Sequence, residues 1–160
     1  MTGTDVACTP MTEATRGEAR VLLAAFLEGD AHYRASAAHY GDAGAAALDK
    51  ALGLFLARPE LGFVWLALVD GRARGACVVC YAISTARGAL VAKLDDVTVE
   101  RAWLGRGIGT RMLEALARHL AARGIARIDT ACHRDNTAAW RFYEQLGFRP
   151  LDEERLARIL

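Results

Sequence analysis

At Trp103 the chain changes its hydrophobic period, and that change limits the topologies open to it. Before it, Gly62–Val69, Arg74–Ser84 and Leu90–Val99 are rich in Val, Trp, Phe, Tyr and Cys. Asp70-Gly71 and Arg87-Gly88 punctuate them, so they read as a three-stranded antiparallel meander. After it, Leu104-Gly105-Arg106-Gly107-Ile108-Gly109-Thr110 opens a helix over 107–123. The apolar stripe of that helix is Met112, Leu113, Leu116, Ala117 and Leu120, and Arg123-Gly124 marks its end. A buried strand over 126–132 follows. Strand 90–99, helix and strand 126–132 then form a β-α-β unit with its two strands parallel.

The remaining segments fill in around this unit. Val6–Pro10 reads as a first strand, and Val21, Leu22, Ala25 and Phe26 give a helix ending near Gly29. Glu28–Gly44 reads as a loop, and Ala45–Ala57 as a helix stopped by Pro59. A last helix begins near Asn136, carries Ala139, Phe142, Tyr143 and Leu146 on one face and ends at Gly147. One or two short strands follow before Leu160. The 160 residues, 17.3 kDa, suit one domain over 1–160 with its own core.

Charge and composition exclude several classes. A net charge of +1 with 53% hydrophobic residues fits neither an acidic disordered chain nor a globally basic nucleic-acid binder. No stretch approaches the roughly eighteen uncharged apolar residues of a membrane span, and Met1–Pro10 carries Asp5 and no apolar run. The expectation is a cytoplasmic protein with no membrane and no nucleic-acid partner. Cys77 and Cys80 lie three apart on a strand and point to opposite faces, so they cannot share a metal or a disulfide. His119 and His133 have no metal-ligand spacing around them, and no metal is expected.

Three alternate glycines where a strand hands over to a helix suit an anion. Without Cβ atoms the backbone can approach closely, and the first N–H groups of the helix point at the ligand. A surplus of arginines between Glu100 and Arg134 supports a phosphate, although a solvated helix face explains Arg118 and Arg123 equally well. Gly109 is followed by Thr110-Arg111 with no lysine, which argues against a nucleoside triphosphate loop. The glycine spacing and the small number of βα units argue against a dinucleotide fold.

Leu94-Asp95-Asp96-Val97-Thr98-Val99, then Gly105-Arg106-Gly107-Ile108-Gly109, then Asn136-Thr137-Ala138-Ala139 with Phe142-Tyr143 through Gly147-Phe148 resemble the GCN5-related N-acetyltransferases, or GNAT family. The resemblance implies an α+β, three-layer fold. Its mixed, mostly antiparallel sheet has six to seven strands flanked by four helices. It implies acetyl-CoA as cosubstrate, with Val97, Thr98, Val99, Gly105, Arg106, Gly107, Ile108, Gly109, Thr110 and Asn136 as its binding residues. In this family the loop usually begins with Gln or Arg where this chain has Leu104, so that side-chain contact with phosphate is lost.

The implied reaction is acetyl transfer to a primary amine by direct attack in a ternary complex. An amine near pKa ~10.4 must lose a proton before it attacks, whereas a thiol near ~8.5 is a tolerable leaving group helped by a weak acid. Tyr143 matches the family position of that acid. Asp95 and Asp96 are candidates for holding or deprotonating the amine. Being adjacent on a strand, they share a face only if a bulge intervenes. Glu28, Asp30, Tyr33, Tyr40 and Asp42 would give a mildly acidic, aromatic acceptor pocket for a small polyamine-like cation. A protein or peptide amine, an aminoglycoside and a non-catalytic acyl-CoA-binding module stay open as alternatives, and so does homodimerisation.

Overall fold

The computed structural model describes residues 3–160, so the first two residues of the 1–160 span lie outside it. Five strands form one sheet in the order β1 (Ala7–Pro10), β2 (Gly62–Val69), β3 (Arg72–Ser84), β4 (Ala89–Val99) and β5 (Ile128–Thr130). The first four are antiparallel neighbours, and β5 runs parallel to β4. The β2–β3 hairpin turns at Asp70-Gly71 with φ of 51° and 73°, positive at both positions as a tight two-residue turn requires.

The helices are α1 (Arg16–Gly29), α2 (Ala31–Tyr40), α3 (Ala45–Ala57), α4 (Ile108–Ala121) and α5 (Thr137–Gln145). Strand alternation divides the core in two. Val64 and Leu66 of β2 face Leu22, Leu23, Leu48 and Leu52 of α1 and α3, while Trp65, Ala67 and Val69 face α4. The α4 stripe is Ile108, Met112, Leu113, Leu116 and Leu120, all buried. Trp65 also donates its indole N–H to the Met112 carbonyl at 3.0 Å, tying sheet to helix. Cys77 lies in the α4 core and Cys80 outside it, which keeps the two thiols on opposite faces as strand geometry demands.

Several expectations need correction. The sheet has five strands among the described residues rather than six or seven, because residues 149–160 form neither helix nor strand. Among the described residues there are five α-helices rather than four. The segment read as a loop over 28–44 contains α2, capped by the Asp30 carboxylate accepting from Tyr33 N–H at 2.7 Å and ended by left-handed Gly41. Only Ala37 of α2 is buried, so no apolar stripe betrays the helix in the sequence. Ala117 is exposed, and Ala115 packs on the core instead. The strand read over 126–132 pairs only across Ile128–Thr130.

Candidate active site

The decisive local feature is a bulge in β4. Ala76 pairs with Thr98 and Val78 with Asp95, so Cys77 alone opposes both Asp96 and Val97. Asp96 carries the extra residue's turn with φ of 51°, a conformation open to Asp more readily than to most side chains. The strand rule would put Asp95 and Asp96 on opposite faces. The bulge instead turns both toward one cavity of about 590 Å³ between the sheet, the helices α1 to α3 and the start of α5.

Electrostatics separate the two acids. Asp95 Oδ2 lies 3.1 Å from Lys93 Nζ, and its Oδ1 lies 3.7 Å from Arg155 Nη1. Asp96 has no ion pair among the described residues. Burial, reinforced by the neighbouring Asp95 charge and opposed by Lys93, pushes its carboxyl up to about 6. One carboxylate therefore lies between two cations, and the other, with its carboxyl pushed up to about 6, titrates close to neutrality.

Tyr143 reaches the same cavity from α5. Phe142 and Phe148 lie edge-on to it, each 5.3 Å away between ring centroids. Burial pushes its hydroxyl up to about 12, with a Thr130 contact pulling the other way, so it keeps its proton at neutral pH. Asn136 caps α5, accepting from Ala139 N–H at 3.1 Å, and also lines the cavity.

On the far wall Tyr33 donates to Asp42 Oδ2 at 3.0 Å, and Asp42 Oδ1 accepts from Gly44 N–H at 2.7 Å. The backbone bond and the tyrosine bond hold Asp42 below the usual carboxylate range. Burial and that same bond raise Tyr33 to about 12. Tyr33 stacks on Tyr40 at 5.8 Å with 5° between the rings. Asp30, Asp42, Asp95 and Asp96 thus surround an aromatic space, as a cation requires.

A second region suits an anionic, elongated ligand. β5 pairs with β4 only as far as Leu94↔Thr130, where Thr130 Oγ1 donates to the Leu94 carbonyl at 2.9 Å. Among the described residues no strand lies beside the edge of β4 away from β3 from Asp95 to Val99, so Val97, Thr98 and Val99 offer backbone groups to a ligand there. Gly105 and Gly107 both adopt φ of 74° and turn the chain into α4, where Gly107 is the N-cap. Among the described residues nothing accepts a hydrogen bond from the N–H groups of Gly105, Arg106, Gly107, Ile108, Gly109 or Thr110. Gly109 has a different role: a Cβ there would meet the Phe142 ring at 3.4 Å, so its absence lets α5 press against α4.

Leu104 is exposed and offers the loop nothing polar. Arg106 stacks on Trp103 with its guanidinium carbon 4.6 Å from the ring centroid, and Arg74 does so at 4.8 Å while pairing with Glu100 at 2.6 Å. Four of the other arginines of the local surplus are engaged elsewhere. Arg127 pairs with Asp129, Arg134 with Glu154, Arg111 with the Thr4 carbonyl and Arg123 with His119.

Residues 26–148 match the model of the acetyltransferase (GNAT) family. The chain belongs to that family. Members draw their acetyl group from acetyl-CoA, and the gap beside β4 together with the unpaired N–H groups of the glycine loop fits such a ligand. A mycothiol acetyltransferase of Streptosporangium roseum is 40% identical over 62 residues, which is 39% of this chain and only 18% of that protein. Solved structures agree in fold. A ribosomal-protein-alanine N-acetyltransferase from Brucella melitensis is 16% identical with a TM-score of 0.74 over 97% of this chain and 99% of that one. The aminoglycoside N-acetyltransferase AAC(6')-Iy, in complex with a bisubstrate analogue, is 17% identical with a TM-score of 0.74 over 98% and 99%.

The cavity also contains residues that sequence reasoning passed over. Lys93 was readable in principle, since it shares a face with Asp95 two positions on. His133, bonded to Ser36 at 3.2 Å and 5.8 Å from His32 between ring centroids, gave no signal, because only the fold brings α2 to the end of β5. His119 packs against Trp65 at 4.6 Å on the other side of the sheet, away from the site. Among the described residues no group of three or more His, Cys, Asp or Glu could hold a metal. Among the described residues no helix is long and apolar enough to cross a membrane.

Proposed function

We propose that this chain, acting in the cytoplasm as one catalytic domain over 1–160, transfers acetyl from acetyl-CoA to a primary amine of a small cationic molecule. The observation that carries the reading is the acidic, aromatic cavity, with Asp95 and Asp96 turned into it together by the β4 bulge and Tyr143 reaching it from α5. A concave cavity of this size suits a small molecule better than a protein surface.

In this reading the backbone of Val97, Thr98 and Val99 holds the pantetheine arm. The N–H groups from Gly105 to Thr110 hold the pyrophosphate, helped by the α4 dipole. Arg106, braced by Trp103, supplies positive charge beside the loop in place of the side chain that Leu104 lacks. Asn136 fixes the start of α5 and so the direction of Tyr143, and its remaining polar atoms are available to the coenzyme arm.

The acceptor ammonium is drawn in by Asp95, Asp96 and Asp42. One proton leaves to solvent, and the free amine attacks the thioester carbonyl. As the C–N bond forms and the nitrogen becomes strongly acidic, Asp96 takes its second proton; with a pKa of about 6 it is ionised and ready at neutral pH. The C–S bond breaks, and Tyr143 donates its proton to the departing thiolate, recovering it from solvent afterwards. The balance is ammonium plus thioester to amide, thiol and one released proton.

Initial velocities measured while varying both acetyl-CoA and a linear diamine test the order of events. Intersecting double-reciprocal lines are the expected result. Parallel lines, which report an acetylated enzyme released from its thiol before the amine binds, would overturn direct attack.

A further inference from the structure

Residues 149–160 are exposed and form no helix or strand, yet they are anchored in three places. Glu154 pairs with Arg134. Arg155 Nη1 lies 3.7 Å from Asp95 Oδ1, with its guanidinium carbon 6.0 Å from the centroid of Tyr40. Ile159 lies over Gly41, where an added Cβ would meet its Cδ1 at 3.5 Å. These contacts, in chain order, carry the segment from beyond α5 across the mouth of the cavity to the C-cap of α2. Arg155 itself lines the cavity.

The position that Arg155 holds is a cation subsite. Asp95 divides its charge between two partners: Oδ2 serves Lys93 at 3.1 Å, and Oδ1 faces Arg155. Tyr40 adds an aromatic face. Nothing about a single carboxylate oxygen and a ring face selects guanidinium over ammonium. The hold is also weak, because the pair is long and the Arg155 side chain is 51% exposed. A weakly held side chain on an irregular segment can be displaced by a ligand that carries its own charge to the same place.

We propose that Arg155 is a specificity-determining residue: its guanidinium occupies the subsite for a second, distal ammonium of the acceptor, and residues 149–160 yield that subsite when a dication binds. The inference rests on the amine-acceptor reading above. A monoamine reacts with Arg155 still in place, whereas a diamine must displace it.

The test compares wild type with R155A, R155K and R158A. Arg158 is a cation of the same segment that pairs with no carboxylate among the described residues. Thiol release gives KM for diaminobutane, butylamine and acetyl-CoA. The expected result is that R155A lowers the diaminobutane KM about three- to fivefold relative to that for butylamine, the size of an exposed ion pair. R155K and R158A keep the wild-type ratio, and the acetyl-CoA KM stays within about twofold throughout. An unchanged ratio in R155A, or the same change in R158A, would overturn the proposal while leaving amine acetylation intact. Failure of every protein, wild type included, to acetylate either amine would remove the underlying reading and the proposal with it.

Discussion

Asp95 and Asp96 are consecutive residues that face the same cavity, because a bulge opposite Cys77 puts one extra residue into β4 between Asp95 and Thr98, and Asp96 takes its left-handed conformation. A regular strand would send them to opposite sides of the sheet and leave the cavity one acid. The bulge thus creates a pair with divided roles. Asp95 is held by Lys93 and Arg155, and Asp96 is buried with a pKa near 6.

For Asp96 the consequence is a linked dependence of rate and stability on pH. Its pKa is raised from 3.8 to about 6, so the neutral form is favoured by folding. That stabilisation is complete below pH 3.8 and is lost as pH rises through about 6. D96N, whose side chain tolerates the positive φ, keeps the neutral state at every pH. It should be more stable than wild type at pH ~8 by up to about 3 kcal/mol, with the difference closing toward acid. Thermal melts across pH check this. In the same variant kcat/KM should fall by ~10²-fold or more and lose the rise through pH ~6.

Y143F tests the proton donor. Phenylalanine preserves the packing against Phe142 and Phe148, so the melting temperature should change little. The expected kinetic effect is a kcat lower by ~10²-fold or more with KM for acetyl-CoA within about threefold. Because Tyr143 titrates near 12, wild-type activity should show no loss from its ionisation up to pH ~9.

The glycine loop makes a backbone prediction. Gly107 caps α4 at φ of 74°, where an added Cβ costs roughly 1–2 kcal/mol. G107A should lower stability by about that amount and weaken acetyl-CoA binding about tenfold. The amine KM should move less. Calorimetric titration of acetyl-CoA against both proteins separates the two effects.

D30A tests whether α2 shapes the acceptor side. Loss of the Asp30 cap removes the bond to Tyr33 N–H and costs about 1 kcal/mol of helix stability. Tyr33 orients Asp42 and stacks on Tyr40, so the amine KM should rise several-fold while KM for acetyl-CoA holds.

The parts of the fold legible in the sequence were those with strong periodicity. The β2–β3 turn at Asp70-Gly71, the α4 stripe and the parallel β4–β5 pair follow from spacing alone, and the glycine loop followed from its place between them. α2 was not legible, because a helix that buries only Ala37 has no face to announce it. The terminal strands expected after Phe148 are absent because residues 149–160 are held by side-chain contacts rather than by a ladder. In the site, the bulge could be posed as a condition but not read, since it depends on register against β3. The local arginine surplus is spread over several partners rather than gathered at the glycine loop. Arg127 and Arg134 answer nearby acids, and of the seven arginines over 101–134 only Arg106 stands in the loop itself.

The most direct test of acetyl transfer from this cavity is thiol release from acetyl-CoA measured with and without an amine panel, with the acetylated product identified by mass. The expected result is release that depends on a cationic primary amine, matches product mole for mole and collapses in Y143F and D96N. Tight binding of acetyl-CoA with no amine-dependent thiol release across linear diamines, aminoglycosides and peptide amines would contradict it, and would leave a coenzyme-binding module.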